Sequence, residues 1–346
     1  MNDTPGKTDH ARRPTGRRRF LGMLSAVCAG LPPRLRPLYA SPENSPAVAT
    51  GYVFDKLYLR HLIYRGHPES PRRLEAIEAH LHRTGLRKRL VHLSLLRDPL
   101  PHIRRVHTPE HIASIDKIKT TGTVARRAVA GALAAVDALH RGAVRNAFCA
   151  IRPPGHHAVN SGREEGFCFY NNVAVAARYA QEVCGYRKVL IIDWDYHHGN
   201  GTELLFYDDP SVLFFSTHDM HAYPGTGRPS RRGEGAGKGY TINVHLGRGA
   251  DDYDMYDAWR EHLLPAAKRF DPDIVLISAG FDSRIDDPLG CFAVSDVGFE
   301  HLTTTAMDIA RDHCGGRLVS LLEGGYNVEG QARAVGAHVG ALMEHA

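Results

Sequence analysis

Four short segments of this 346-residue chain hold most of the side chains that could bind a metal or move a proton. They are Arg152-Pro153-Pro154-Gly155-His156-His157, Asp193-Trp194-Asp195-Tyr196-His197-His198-Gly199-Asn200, Ala279-Gly280-Phe281-Asp282 and Glu323-Gly324-Gly325-Tyr326-Asn327. Asp195 and His197 lie two apart, so in an extended segment their side chains share one side and can grip one ion. Asp282 can supply a third ligand. Two carboxylates and one imidazole leave room for water and substrate, the arrangement of a catalytic rather than a structural zinc. Oxygen-rich ligation also admits Fe(II). His156 and His157 suit proton transfer near neutral pH, with Asp193 able to hold one ring and Asn200 the other. Tyr326 follows two glycines that let the backbone approach closely, and it can donate a hydrogen bond to a developing oxyanion. Each feature alone has a plainer explanation, because with 22 histidines chance Asp-x-His pairs occur. Paired histidines also serve as structural hydrogen-bonding groups, and a tyrosine is ordinary at a cavity rim.

Elements able to position these segments alternate along the chain from about residue 50. Strands are expected at Ala147 to Ile151, Val189 to Ile192, Val212 to Ser216, Tyr240 to Val244, Ile274 to Ser278 and Leu318 to Leu321. Several are apolar without alternation, as strands buried on both faces of a parallel sheet must be. Helical spacing occupies Arg72 to Arg83, Val124 to Leu139, Val173 to Val183, Tyr256 to Phe270, Val297 to Ala310 and Gln331 to Met343, with Pro265 expected to kink the fourth. Strand and helix in repetition predict an α/β domain with a parallel sheet covered on both sides. The four reactive segments directly follow four of the strands. Ligand crevices in such sheets lie beyond the carboxyl ends of strands, so the segments should converge on one rim.

The charge is uneven. Lys and Arg number 43 against 38 Asp and Glu, but residues 1–40 hold eight basic and two acidic side chains, leaving 35 basic and 36 acidic in the rest. The body therefore carries no basic footprint for nucleic acid. Residues 1–40 read as a twin-arginine-type signal peptide: Arg17-Arg18-Arg19 precede an apolar stretch from Phe20 to Leu31, too short to span a bilayer, and Leu38-Tyr39-Ala40 offers a cleavage site. A disordered basic tail is the alternative. Residues 41–50 read as a linker and 51–346 as one catalytic domain. An exported, periplasmic or extracytoplasmic location is expected, with a cytoplasmic one as the alternative, and no stable membrane anchor. Cys28, Cys149, Cys168, Cys184, Cys291 and Cys314 form no Cys-x-x-Cys pair, so neither a disulfide framework nor a zinc knuckle is indicated.

From Tyr52 to the C-terminus the chain resembles the zinc-dependent histone deacetylase family of the arginase/deacetylase fold, above all its class II and bacterial amidohydrolase-like members. The likeness rests on seven motifs in order: His67-Pro68-Glu69-Ser70-Pro71-Arg72-Arg73-Leu74, Pro153-Pro154-Gly155-His156-His157, Gly166-Phe167-Cys168-Phe169-Tyr170-Asn171-Asn172, the run from Asp193 to Thr202, Tyr223-Pro224-Gly225-Thr226-Gly227, Gly280-Phe281-Asp282 and Glu323 to Asn327. The resemblance implies a three-layer fold around a mostly parallel sheet of about eight strands. It implies Zn²⁺ on Asp195, His197 and Asp282, His157 as general base and acid, His156 as an electrostatic partner held by Asp193, and Tyr326 bracing the oxyanion. Substrate would meet Gly166, Phe167, Tyr223 and Leu289, with Arg73 matching an arginine of the acetate-release channel. A monovalent cation, usually potassium, would map onto Asp193, Asp195, His197, Ser216 and Thr217.

The expected activity is removal of an acetyl group from an acetyl-lysine-like or other N-acetylated amine, a small molecule or peptide. Asn200 stands where class I members have Asp, in agreement with class II. Tyr223 replaces a usual Phe. Leu289 stands where the polyamine-selective class II member has a gatekeeper glutamate, which weighs against a cationic polyamine substrate. An acetylpolyamine amidohydrolase is the alternative enzyme, and a catalytically silent acyl-amine binding protein the alternative from another class. Tyr326, where weakly active members have His, predicts real turnover. The pattern leaves the oligomeric state open.

Overall fold

The computed structural model describes residues 49–95 and 98–346; the proposed leader lies outside them. Eight strands make one sheet: β1 (Thr50–Val53), β2 (Val91–His92), β3 (Asn146–Cys149), β4 (Val189–Asp193), β5 (Val212–His218), β6 (Thr241–His245), β7 (Ile274–Ala279) and β8 (Leu318–Leu322). Their order is β2-β1-β3-β8-β7-β4-β5-β6, and every pairing is parallel. The six strands expected from sequence are present. β1 and β2 extend the sheet beyond them, and β1 begins at Thr50, inside the segment read as linker.

The helices are α1 (Arg72–Arg83), α2 (Leu100–Ile103), α3 (Pro109–Asp116), α4 (Lys119–His140), α5 (Asn172–Glu182), α6 (Asn200–Leu205), α7 (Asp252–Ala258), α8 (Leu264–Phe270), α9 (Asp296–Cys314) and α10 (Val328–Glu344). α4 packs with α5, and α10 with both α1 and α9, so two helical layers cover the strands. Every residue of β3, β4, β7 and β8 is buried, as their unbroken apolar runs require. Where a kink at Pro265 was expected, one π-turn, Trp259–Leu263, lies between α7 and α8 and carries the Leu264 N–H to the Trp259 carbonyl. The proline, with no N–H of its own, then opens α8.

β3, β8, β7 and β4, the four strands that lead into the reactive segments, are consecutive neighbours at the centre of the sheet. The register pairs Asp193 with Ser278 on one side and Ser216 on the other, while Ala279 pairs with Leu322. Their carboxyl ends are therefore level, and the four segments leave the sheet side by side.

Candidate active site

These segments meet around a cavity of about 830 Å³, whose lining includes His157, Gly166, Phe167, His197, Tyr223, Leu289 and Tyr326. Asp195, His197 and Asp282 form one group, each offering a ligand atom within 4.8 Å of the others. His197 Nδ1 lies 3.1 Å from Asp195 Oδ1 and 3.0 Å from Asp282 Oδ2. The backbone fixes both carboxylates: Asp195 Oδ1 accepts from the His197 N–H at 2.9 Å and Oδ2 from the Gly324 N–H at 2.9 Å, while Asp282 Oδ1 accepts from the Tyr196 N–H at 2.9 Å. Gly324 has to be glycine, because a Cβ there would overlap the Asp282 carboxylate.

Two carboxylates share this fully buried setting. Burial and the neighbouring Asp195 charge push Asp282 up to about 7, whereas Asp195, buried but set against His156 and His197, stays well below the usual range. Burial disfavours the His197 cation, yet Asp282 and Asp195 hold its pKa up at about 10. The site calls for positive charge at its centre, and the oxygen-rich donor set fits a divalent cation of the zinc or Fe(II) kind.

The paired histidines differ in state although their ring centroids are 4.0 Å apart. His156 Nδ1 lies 3.0 Å from Asp193 Oδ2. Burial opposes its charge, but Asp195 and Asp193 keep it well above the usual histidine value, so it is an imidazolium. His157 is driven well below that value by burial and by His156 and His197, so it is neutral. Its Nδ1 donates to Asn200 Oδ1 at 2.8 Å, which leaves Nε2 as the basic nitrogen for the cavity. Tyr326 is 9% exposed, and burial reinforced by Asp282 raises its phenol well above 10, so it remains a donor.

The walls are aromatic. Tyr223 stands edge-on to His157 at 5.0 Å, and Phe167 edge-on to Tyr326 at 5.9 Å. Gly166, with φ of +51°, passes so close that a Cβ would overlap the His157 ring. Leu289 is on the rim, 38% exposed. Arg73 is not on the cavity wall. It is fully buried behind Tyr326, its guanidinium 5.1 Å from that ring, and it donates to Gly325 O at 2.6 Å and Glu323 O at 2.5 Å. Ser216 and Thr217 are buried at the end of β5; Ser216 Oγ lies 2.8 Å from His218 Nδ1, and the Thr217 hydroxyl has no hydrogen-bond partner among the described residues.

Sequence reading gave no role to three groups that build the site. Glu323 is fully buried and Oε2 accepts from the Gly155 N–H at 2.6 Å and the His156 N–H at 3.1 Å, tying the histidine segment to β8. Glu69 joins Arg73 to Arg152 beneath the site. Asp287 accepts from the Tyr326 N–H at 2.6 Å. Asp287 had one local signal, the Asp-Asp-Pro turn pattern at residues 286–288; Glu69 and Glu323 lie inside quoted motifs, which did not disclose what they hold.

Residues 67–342 match the family model of the histone deacetylase domain. A probable deacetylase of Archaeoglobus fulgidus is 37% identical over 299 residues, covering 82% of this chain and 83% of that protein. Histone deacetylase 15 of Arabidopsis thaliana is 38% identical over 326 residues, 87% of this chain and 58% of the relative. Chloroplastic histone deacetylase 10 of Oryza sativa subsp. japonica is 49% identical over 188 residues, 54% of this chain and 42% of the relative. The chain thus spans about half the length of these plant proteins. The crystal structure of the HDA15 HD domain superposes with a TM-score of 0.81 at 36% identity, covering 86% of this chain and 89% of the other. With most of its length matched in sequence and in fold, this chain belongs to the histone deacetylase family.

Proposed function

We propose that the protein is a zinc-dependent amidohydrolase that removes the acetyl group from an acetyl-lysine-like amine and releases acetate. The observation that carries this reading is the convergence of the Asp195, His197 and Asp282 group, neutral His157 and the protonated Tyr326 on one cavity. When bound, a divalent ion would supply Lewis acidity at the amide carbonyl and acidify a water beside it. His157 Nε2 takes the water's proton and returns one to the leaving amine, while Asn200 fixes the ring's tautomer. His156, charged and anchored by Asp193, supplies positive potential beside the developing negative charge. Tyr326 donates to the carbonyl oxygen as it becomes an oxyanion, and Phe167 and Tyr223 sleeve the apolar stem of the substrate.

The rim favours an acylated lysine over an acetylpolyamine. Leu289 offers no carboxylate there, and the exposed Arg248 adds positive charge to the lining. The acidic groups of the same lining are engaged: Glu165 with Arg163 at 3.0 Å, Glu164 with the Phe167 N–H, and Asp219 with the Tyr196 hydroxyl at 3.0 Å. A distal ammonium finds little there to pair with. A monovalent cation, potassium, belongs to the same proposal, held around Asp193, Asp195, His197, Ser216 and Thr217 partly through backbone oxygens. Export by the twin-arginine route remains part of the proposal.

The test is acetate release by the zinc-loaded protein from an acetyl-lysine peptide and from an acetylpolyamine, with Asp282→Ala as the blank. Faster release from the peptide that vanishes in the blank is expected. Faster release from the polyamine would favour the alternative enzyme, and no release from a stoichiometrically loaded protein would favour a silent binding protein.

A further inference from the structure

Asp287 lies five residues beyond Asp282, in the segment between β7 and α9, and is 8% exposed. Its carboxylate serves two loops at once. Oδ1 accepts from the backbone N–H of Leu289 at 2.9 Å and of Gly290 at 3.3 Å, on the cavity rim. Oδ2 accepts from the N–H of Tyr326 at 2.6 Å and of Asn327 at 3.0 Å, on the segment after β8. A second bond joins the same loops, from Asn327 Nδ2 to Asp286 O at 3.1 Å.

The peptide between Gly325 and Tyr326 is gripped at both ends. Its carbonyl accepts from Arg73 Nε at 2.6 Å and its N–H donates to Asp287 Oδ2 at 2.6 Å. Gly325 sits at φ of +117°, a conformation in which glycine alone is at ease and which by itself restrains nothing that follows. The tyrosine that must aim a hydroxyl to within a fraction of an ångström thus follows the softest residue of its loop. A buried cation on one end of the peptide dipole and a buried anion on the other supply the missing stiffness.

We propose that Asp287 is the positioning residue of Tyr326: it fixes the 325–326 peptide plane, and thereby the phenol, and locks the Leu289 rim to it. The proposal rests on the reading of Tyr326 as the oxyanion donor. Asp287→Asn keeps the size of the side chain but turns an NH₂ group toward backbone donors on one of the two loops, so one pair of N–H groups loses its acceptor.

The experiment is a double-mutant cycle of Asp287→Asn and Tyr326→Phe, read as kcat and KM for acetyl-lysine peptide hydrolysis by the zinc-loaded protein, with folding followed by circular dichroism. Tyr326→Phe alone should lower kcat by about 10²-fold or more. Asp287→Asn alone should lower kcat about tenfold or more with little change in KM, and should add almost nothing in the Tyr326→Phe background, because two residues acting through one group are strongly non-additive. Losses that multiply would overturn the proposal and leave the Tyr326 role intact, as would an unchanged kcat in Asp287→Asn. An unchanged kcat in Tyr326→Phe would instead remove the oxyanion reading and this proposal with it. Should Asp287→Asn not fold, Asp287→Glu, which keeps the charge but displaces it, goes through the same cycle and is judged by the same results.

Discussion

The catalytic loops rest on a buried charge cluster, and Glu69→Gln tests how much they depend on it. Glu69 is fully buried, with Oε1 2.5 Å from Arg152 Nε, Oε2 2.6 Å from Arg152 Nη2, Oε1 3.2 Å from Arg73 Nη1 and Oε2 3.2 Å from His61 Nε2. Although burial opposes its ionisation, Arg152, His61 and Arg73 hold its pKa far below the usual carboxylate range. Glutamine keeps one acceptor oxygen but leaves two guanidinium groups in the interior without their anion. Breaking such a buried pair costs about 3–5 kcal/mol, and the retained oxygen places this case near the lower end, about 3 kcal/mol. With an unfolding entropy of about 2.1 cal/mol/K per residue over roughly 300 residues, that is a fall of about 5 °C in Tm. Scanning calorimetry of both proteins at pH 7 measures it. Because the folded pKa of Glu69 is depressed, its contribution is complete above the unfolded value and is lost as pH falls, so the gap between the proteins should narrow below about pH 4.5. Activity should fall as well, since Arg73 carries the Gly325 carbonyl and Arg152 leads into the histidine segment. A Tm within about 1 °C of wild type at pH 7 would refute the premise that the anion holds these arginines in place.

Gly166→Ala should lower kcat/KM by about 10²-fold by pushing on the His157 ring while zinc binding stays stoichiometric; near-normal turnover would show that the wall yields. His338, buried between Thr303 and Ser320 hydroxyls and pushed down to about 3 by burial, stays neutral in the fold while the unfolded chain takes up its proton below about pH 6.5. Its neutrality therefore costs stability as pH falls, and the destabilisation caused by His338→Gln should shrink by about 2 kcal/mol between pH 7 and pH 5 in urea unfolding; a pH-independent gap would contradict the burial argument. Replacing Arg17 and Arg18 by Lys should retain the protein in the cytoplasm, and continued export in fractionated cells would sink the twin-arginine reading.

What the sequence disclosed and what it hid divide along one line, the distance over which a residue's partners lie. The central strands were legible because burial on both faces forces an unbroken apolar run of five or so residues, a property of the strand alone. β2 is two exposed residues, and β1 four residues with a glycine among them, so neither carries such a run. Asp195 and His197 were legible because a two-residue spacing in extended chain decides on which side they point. The supports were not. Glu69 meets Arg152 across 83 positions, Glu323 meets Gly155 across 168, and Asp287 meets Tyr326 across 39. Nothing local to these carboxylates names the partner, and only the sheet order, which sets β1 beside β3, β3 beside β8 and β8 beside β7, brings each under the loop it holds. The same order explains why carboxylates serve beneath the loops. Segments leaving neighbouring parallel strands side by side expose backbone N–H groups that no strand can pair, and a buried carboxylate can satisfy two or more of them at once. Glu323 does so for the histidine segment, Asp195 for the His197 and Gly324 amides, and Asp287 for the tyrosine and the rim. The carboxyl groups that shape this crevice are therefore as much a product of the parallel sheet's open end as of the chemistry proposed there.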